Sequence, residues 1–159
     1  MLNIVTVTKK QETIRVRVDY IDLNKDCPKE NYTTPFIEQI IDNCVGRVVF
    51  SFMDGFFGYN QIEILPSDQH KMSFICPWGT FTYRKLPFDL KNVGATFQQA
   101  MSYAFHDIIH IMDPNLDDLP AHSNRREDHI EHLRVSFLRC RHYNIFLNPH
   151  KCVFYVESR

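Results

Sequence analysis

A chain of 159 residues, 44% hydrophobic and 23% charged, is long enough to bury one sizeable core and too apolar to be a disordered tail. Its net charge of −1, with His neutral, argues against a protein whose whole surface grips phosphate backbones, so composition by itself does not point to nucleic acid. Five scattered cysteines, never spaced Cys-x-x-Cys, exclude a disulfide scaffold and suit reduced thiols in a cytoplasmic or nuclear protein, and no apolar run approaches the ~20 residues that span a bilayer.

No repeat, low-complexity tract or linker divides the sequence, and no secretory leader pattern opens it. Residues 14–20 alternate Ile14, Val16 and Val18 with Arg15, Arg17 and Asp19, which predicts a half-exposed strand. Residues 27–35, with Pro28 and Pro35, read as an irregular connection. Ile37, Ile40, Ile41, Cys44 and Val45 recur at helical spacing, and Gly46 supplies a stop. Residues 48–53 form a short buried-type strand that ends at Asp54, and residues 61–65 alternate polar with apolar. Residues 70–76 and 80–86 flank Pro77-Trp78-Gly79 as a hairpin that Trp78 is expected to anchor. The clearest helix covers residues 92–110, with Val93, Phe97, Ala100, Met101, Ala104, Phe105, Ile108 and Ile109 on one face and Asn92 as its cap. A second long helix is predicted from near Asn124, with Glu127 as capping-box partner, to about Tyr143; a last apolar stretch covers residues 152–156. Mixed elements without regular β-α alternation predict an α+β fold with an antiparallel sheet.

Two acidic positions stand out. Asp54 ends a hydrophobic strand, where a lone carboxylate is costly unless paired, solvated or bound to metal. Asp117-Asp118 lies between the two long helices, framed by Leu116 and Leu119. A strand-end carboxylate facing an acidic pair can hold two Mg²⁺ ions, which take oxygen ligands and use one or two carboxylates plus substrate phosphates. Spacing alone favours a plainer reading, in which Asp54 opens an Asp-Gly turn and Asp117-Asp118 is a solvated loop. His106-Asp107-x-x-His110 mimics a zinc-binding helix, but Asp is too short for the base and no third ligand is evident. His129 with His132, and His150 with Cys152, read as scattered surface and core positions rather than ligands.

Longer segments carry a resemblance. Residues 14–25 (IRVRVDYIDLNK) resemble the fingers signature of Ty3/gypsy-type long-terminal-repeat retrotransposon reverse transcriptases, and residues 50–62 (FSFMDGFFGYNQI) resemble their first catalytic motif. Residues 77–101 (PWGTFTYRKLPFDLKNVGATFQQAM) resemble the nucleotide-binding loop and the palm helix after it. NLDD at 115–118 stands where that family has Y-x-D-D, and residues 129–152 resemble the next palm helix and strand. The likeness covers roughly residues 4–156 in family order and is strongest to plant elements of the Pol polyprotein type.

The resemblance implies an RNA-directed DNA polymerase whose antiparallel palm sheet packs on two long helices. Fingers would be about residues 1–50 and 65–90, and palm about 50–65 and 90–159. Asp54, Asp117 and Asp118 would be the catalytic, metal-holding carboxylates, using Mg²⁺ or Mn²⁺ for nucleotidyl transfer. Tyr59 would reject a ribose 2′-hydroxyl; Lys9 or Lys10 and Arg15 would reach the incoming deoxynucleoside triphosphate; the loop with Phe88 and Asp89 would support nucleotide and template; Lys151 would lie close to the triphosphate. The implied partners are an RNA or DNA template–primer and, in an intact element, RNase H and integrase regions, with no membrane.

Four departures imply a degenerate copy. Asp89 replaces a glycine, Asn115 a tyrosine and Ile21 an arginine, while the segment between His110 and Asp117 is one residue short of related elements and the acidic turn is bracketed by Pro114 and Pro120, which suit strands poorly. On the resemblance, the chain is expected to begin within the fingers, to stop before the primer grip and to lack thumb, connection and RNase H. A non-catalytic nucleic-acid-binding or interaction domain remains the alternative.

Overall fold

The computed structural model describes residues 4–8, 14–33 and 37–158. By its contacts the chain divides into two compact units, Met1–Asn31 with Tyr59–Gly94 and Tyr32–Gly58 with Ala95–Arg159.

In the first unit, β1 (Ile4–Thr8) and β2 (Ile14–Val18) pair antiparallel, Ile4 opposite Val18, as the alternation over residues 14–20 predicts. A short helix α1 (Ile21–Asp26) follows, which the sequence pattern did not signal. Residues 61–65 do not form the strand that their alternation suggests. They leave a 3-10 turn (Gly58–Gln61) and meet residues 84–86 at a single antiparallel bridge, Glu63 to Lys85, with Ile64 N–H donating to Arg84 O and Leu86 N–H to Ile62 O, a pairing too short to make a strand. Helix α3 (Pro66–Gln69) and the 3-10 turn His70–Met72 precede a hairpin of β4 (Ser73–Cys76) and β5 (Gly79–Thr82). Cys76 pairs with Gly79, so the turn is Pro77-Trp78. Trp78 is 85% exposed and anchors nothing, contrary to expectation.

In the second unit, α2 (Ile37–Cys44) ends at Gly46, whose φ of +78° is the left-handed stop that glycine favours. Strand β3 (Val49–Asp54) is the centre of a three-stranded antiparallel sheet, flanked by β6 (Asp118–Ser123) and β7 (Val153–Glu157). Val49, Ser51 and Met53 alternate inward while Phe50, Phe52 and Asp54 take the other face. Met53 stands opposite Leu119, both buried, a pair of side chains contributing roughly 1.5–3 kcal/mol each.

Helix α4 (Val93–Phe105) starts in the first unit and runs into the second, burying Phe97, Gln98, Met101, Ala104 and Phe105. It stops five residues short of His110, so His106 and His110 never share a helical face and the zinc-like pattern has no geometry to stand on. Asp107 is instead held by both Arg139 guanidinium nitrogens, at 2.7 and 2.6 Å. The Asn92 side chain does not face α4 but binds the 27–30 loop, accepting from Glu30 N and donating to Pro28 O.

Helix α5 (Arg126–His142) has no side-chain cap at its start; Asn124 gives its oxygen to Arg47 instead, so the expected capping box is not formed. Its end is a Schellman stop, with Asn144 at φ +54° and Ile145 N–H donating to Cys140 O. The helix lies against β3 and β6 with polar residues inward: His129, Ser136 and Cys140 are buried, whereas Ile130, Phe137 and Leu138 are exposed. Burial pushes the Cys140 thiol up to about 12, and all five cysteines are free, as their spacing predicts. No helix among the described residues is long and apolar enough to cross a membrane.

Candidate active site

The acids converge at one end of the β3–β6 ladder. Asp54, the last residue of β3, stands in register with Asp118, the first of β6, with Met53 and Leu119 as the next pair inward. Asn115 and Asp118 exchange backbone hydrogen bonds at 2.9 and 3.0 Å, so Leu116 and Asp117 form a two-residue hairpin turn. Leu116 has φ +51°, a left-handed conformation unusual for a branched side chain. Gln98 of α4 holds that turn from below, donating to Pro114 O at 3.0 Å and accepting Leu116 N–H at 2.7 Å.

The prolines damage one arm of this hairpin and spare the other. In a strand, a residue's N–H and C=O point to the same side. The Pro120 carbonyl accepts Asp113 N–H at 3.1 Å, so its missing donor also faces residues 111–115, and its pairing with Phe52 of β3 loses nothing. Residues 111–115 accordingly form isolated bridges, Met112 to Ala121 and Asn115 to Asp118, instead of a strand.

Asp117 is no solvated loop residue. Its carbonyl accepts Gly55 N–H at 2.7 Å, tying the turn to the end of β3. Its Oδ1 is buried without a hydrogen-bond partner. Burial, then the charges of Asp54 and Asp118, push its carboxyl above the usual carboxylate range, and Lys151 opposes them. Asp54 is satisfied differently: Lys151 Nζ lies 3.0 Å from its Oδ2, and its carbonyl accepts Asn148 N–H at 2.8 Å. Phe56 N–H donating to Phe146 O completes the seam by which residues 146–151 deliver Lys151 to Asp54. Asp118 is exposed.

The other named residues belong to the first unit. Tyr59 meets Phe88 edge-on, ring centres 5.4 Å apart and both half-buried. Asp89 has φ +74°, the backbone region that favours the glycine it replaces. Its carbonyl accepts Asn24 Nδ2 at 2.7 Å and its carboxylate lies 3.3 Å from Arg17, at the mouth of a cleft of about 350 Å³. Lys9 and Lys10 lie outside the described residues, and of Arg15 only the backbone, within β2, is described. Gly58 and Gln98 were missed by sequence reasoning: each is named by a partner far along the chain, Asp117 for Gly58 and the hairpin turn for Gln98.

Among the described residues no three His, Cys, Asp or Glu side chains are gathered to hold a metal ion between them. The arrangement offers two carboxylates, one charge-paired and one with a buried oxygen that has no hydrogen-bond partner.

Comparison with known proteins shows the family of the chain. Residues 7–159 match the family described as reverse transcriptase (RNA-dependent DNA polymerase). The chain belongs to the reverse transcriptase family. The Transposon Tf2-3 polyprotein of Schizosaccharomyces pombe is 30% identical to it over 154 residues, 96% of this chain and 12% of that polyprotein. The Transposon Tf2-7 polyprotein of the same yeast is 29% identical over the same shares. This reverse transcriptase chain therefore spans about an eighth of the polyproteins it resembles. Its fold matches a foamy viral protease–reverse transcriptase in complex with RNA/DNA hybrid, at a TM-score of 0.84 and 20% identity over 95% of this chain and 20% of that one. A foamy viral protease–reverse transcriptase in complex with double-stranded DNA gives 0.87 at 19% identity, over 98% of this chain and 27% of that one.

Proposed function

We propose that this chain is the fingers-and-palm portion of a retrotransposon's RNA-directed DNA polymerase, with fingers at about residues 1–50 and 65–90 and palm at about residues 50–65 and 90–159. The observation that supports this most is the acidic end of the β3–β6 ladder, where Asp117 keeps a buried, unpartnered oxygen beside a second carboxylate. That orphaned oxygen fits a divalent cation. Asp54 and Asp117 would hold Mg²⁺ or Mn²⁺, with Asp118 at the rim, and triphosphate oxygens would complete the shell that protein side chains alone leave open. Bound there, two such ions would activate a primer 3′-hydroxyl and stabilise the leaving pyrophosphate.

The chain's own residues do the positioning. Asp54 and Asp117 have their carbonyls held by Asn148 N–H and Gly55 N–H, so the backbone that carries the two carboxylates is fixed before any ligand arrives. Lys151 holds a positive charge at the site and is available to a triphosphate once a cation takes its place on Asp54. Tyr59 supports the sugar and rejects a 2′-hydroxyl, Phe88 and Asp89 flank nucleotide and template, and Lys10 and Arg15 reach phosphates. A template–primer, deoxynucleoside triphosphates, and the RNase H and integrase regions of a longer polyprotein are the partners, inside the cell, where free cysteines stay reduced.

This copy is degenerate at Asp89 and Asn115. Asp89 strains its backbone and brings a negative charge where phosphates are to bind. A primed RNA template with Mg²⁺ or Mn²⁺ tests both halves of the reading. The native chain is expected to show little or no extension, the Asp89→Gly/Asn115→Tyr variant at least ~10-fold more, and Asp54→Asn in that variant none. Robust extension by the native chain overturns the degeneracy. Salt-dependent binding of the primer–template without incorporation by any variant replaces the polymerase with a binding module.

A further inference from the structure

Gly58 opens the 3-10 turn that follows β3, buried and with φ +38°, directly after Phe57 at φ +58°. Two consecutive left-handed residues account for a glycine on conformational grounds alone. The space around it gives a second reason. A Cβ built on Gly58 would fall within 3 Å of three atoms of the Asp117 carboxylate: Oδ1, Cγ at 2.7 Å and Oδ2 at 2.8 Å.

Asp117 has little freedom to answer that intrusion with its backbone. Its carbonyl is bonded to Gly55 N–H, its neighbour Leu116 to Gln98, and the flanking Asn115 and Asp118 to each other. Only rotation of the side chain remains, and rotation displaces the carboxylate from the place it holds beside Gly58. The orphaned Oδ1 belongs to the same head group, so no hydrogen bond of Oδ1 would guide it back.

We propose that Gly58 is a positioning residue, its missing side chain being the space that the Asp117 carboxylate occupies and residue 58 thereby setting where that carboxylate points. The functional consequence rests on the reading of Asp117 as a cation ligand; the packing does not.

A double-mutant cycle in thermal unfolding separates room from conformation. Gly58→Ala is expected to lower Tm by several degrees in the native background and by less than about half as much in an Asp117→Ala background, where only backbone strain remains. If Gly58→Ala alone fails to fold, folding restored by Asp117→Ala supports the proposal just as well. Equal losses in both backgrounds, or no restoration, overturn it. Mn²⁺ alone, titrated while the free-ion paramagnetic signal is followed, reads the site itself. Affinity is expected to fall about tenfold in Asp117→Ala and by a similar factor in Gly58→Ala, since both take one carboxylate from the ion. Undiminished binding in Asp117→Ala removes the cation-ligand reading while the coupling in Tm still decides the role of Gly58. Loss in Asp117→Ala with full binding in Gly58→Ala overturns the positioning role.

Discussion

Strands β3 and β6 carry polar groups at two places, and the two are built in opposite ways. At the ladder's end, Asp54 and Asp117 are gathered with a buried oxygen left unpartnered. Under α5, Ser51 lies 2.7 Å from His129 Nε2, and Ser123 lies 2.8 Å from His129 Nδ1 and 2.7 Å from His132 Nδ1. Tyr155 N–H of β7 donates to Ser51 at 3.1 Å, so one network joins α5 to all three strands. A neutral imidazole supplies one donor and one acceptor, which two hydroxyls match. Satisfied polar groups at the sheet's helix-covered face specify its packing, whereas at its end the Asp117 oxygen is left without a hydrogen-bond partner.

The largest effect that separates the two places is expected from His129→Ala. Removing the ring leaves Ser51 and Ser123 without their central partner and opens a cavity beneath α5, which should cost roughly 2–4 kcal/mol in urea unfolding. A loss under 1 kcal/mol would mean that the serines find other partners and that the network is incidental.

Acidification presses on the same layer by a gentler route. Burial first, then His132 and His122, hold His129 below the ordinary imidazole value of 6.5. His122 in turn lies 3.4 Å from Asp113, and Tyr155 packs edge-on against the His129 ring. The unfolded chain takes up a proton that the folded one resists, so this contribution to stability is complete above pH 6.5 and is lost as pH falls from there toward the folded value. Tm measured from pH 8 to 5 should decline in that window, and His129→Ala should flatten the decline; an unchanged slope would move its origin elsewhere.

How much of this was legible follows from how local each signal is. Strand β2 and the hairpin of β4 and β5 could be read because period-two alternation and a Pro-containing turn are written in adjacent residues. The same alternation misled at residues 61–65, where Ile64 is buried in a loop that pairs with residues 84–86 at one bridge only. Asn92 and Asn124 sit where caps belong, yet their side chains go to loops and to Arg47, partners that no sequence window contains. Convergence of Asp54 with Asp117-Asp118 was legible only through likeness to a family, since their spacing also suits two turns. His129, Ser51 and Ser123 carried no signal at all, because a buried polar network is made of residues that each look like surface.

The smallest effect should also have the opposite sign. Asp117→Asn keeps the shape of the side chain and removes a buried charge that Asp54 and Asp118 repel, so the folded state is expected to gain about 1 kcal/mol while Mn²⁺ binding falls. Sites held ready for a ligand trade stability in this way, and the layer beneath α5 does not. If Asp117→Asn instead lowers Tm as His129→Ala does, the carboxylate is satisfied within the fold and the two places on the sheet are alike.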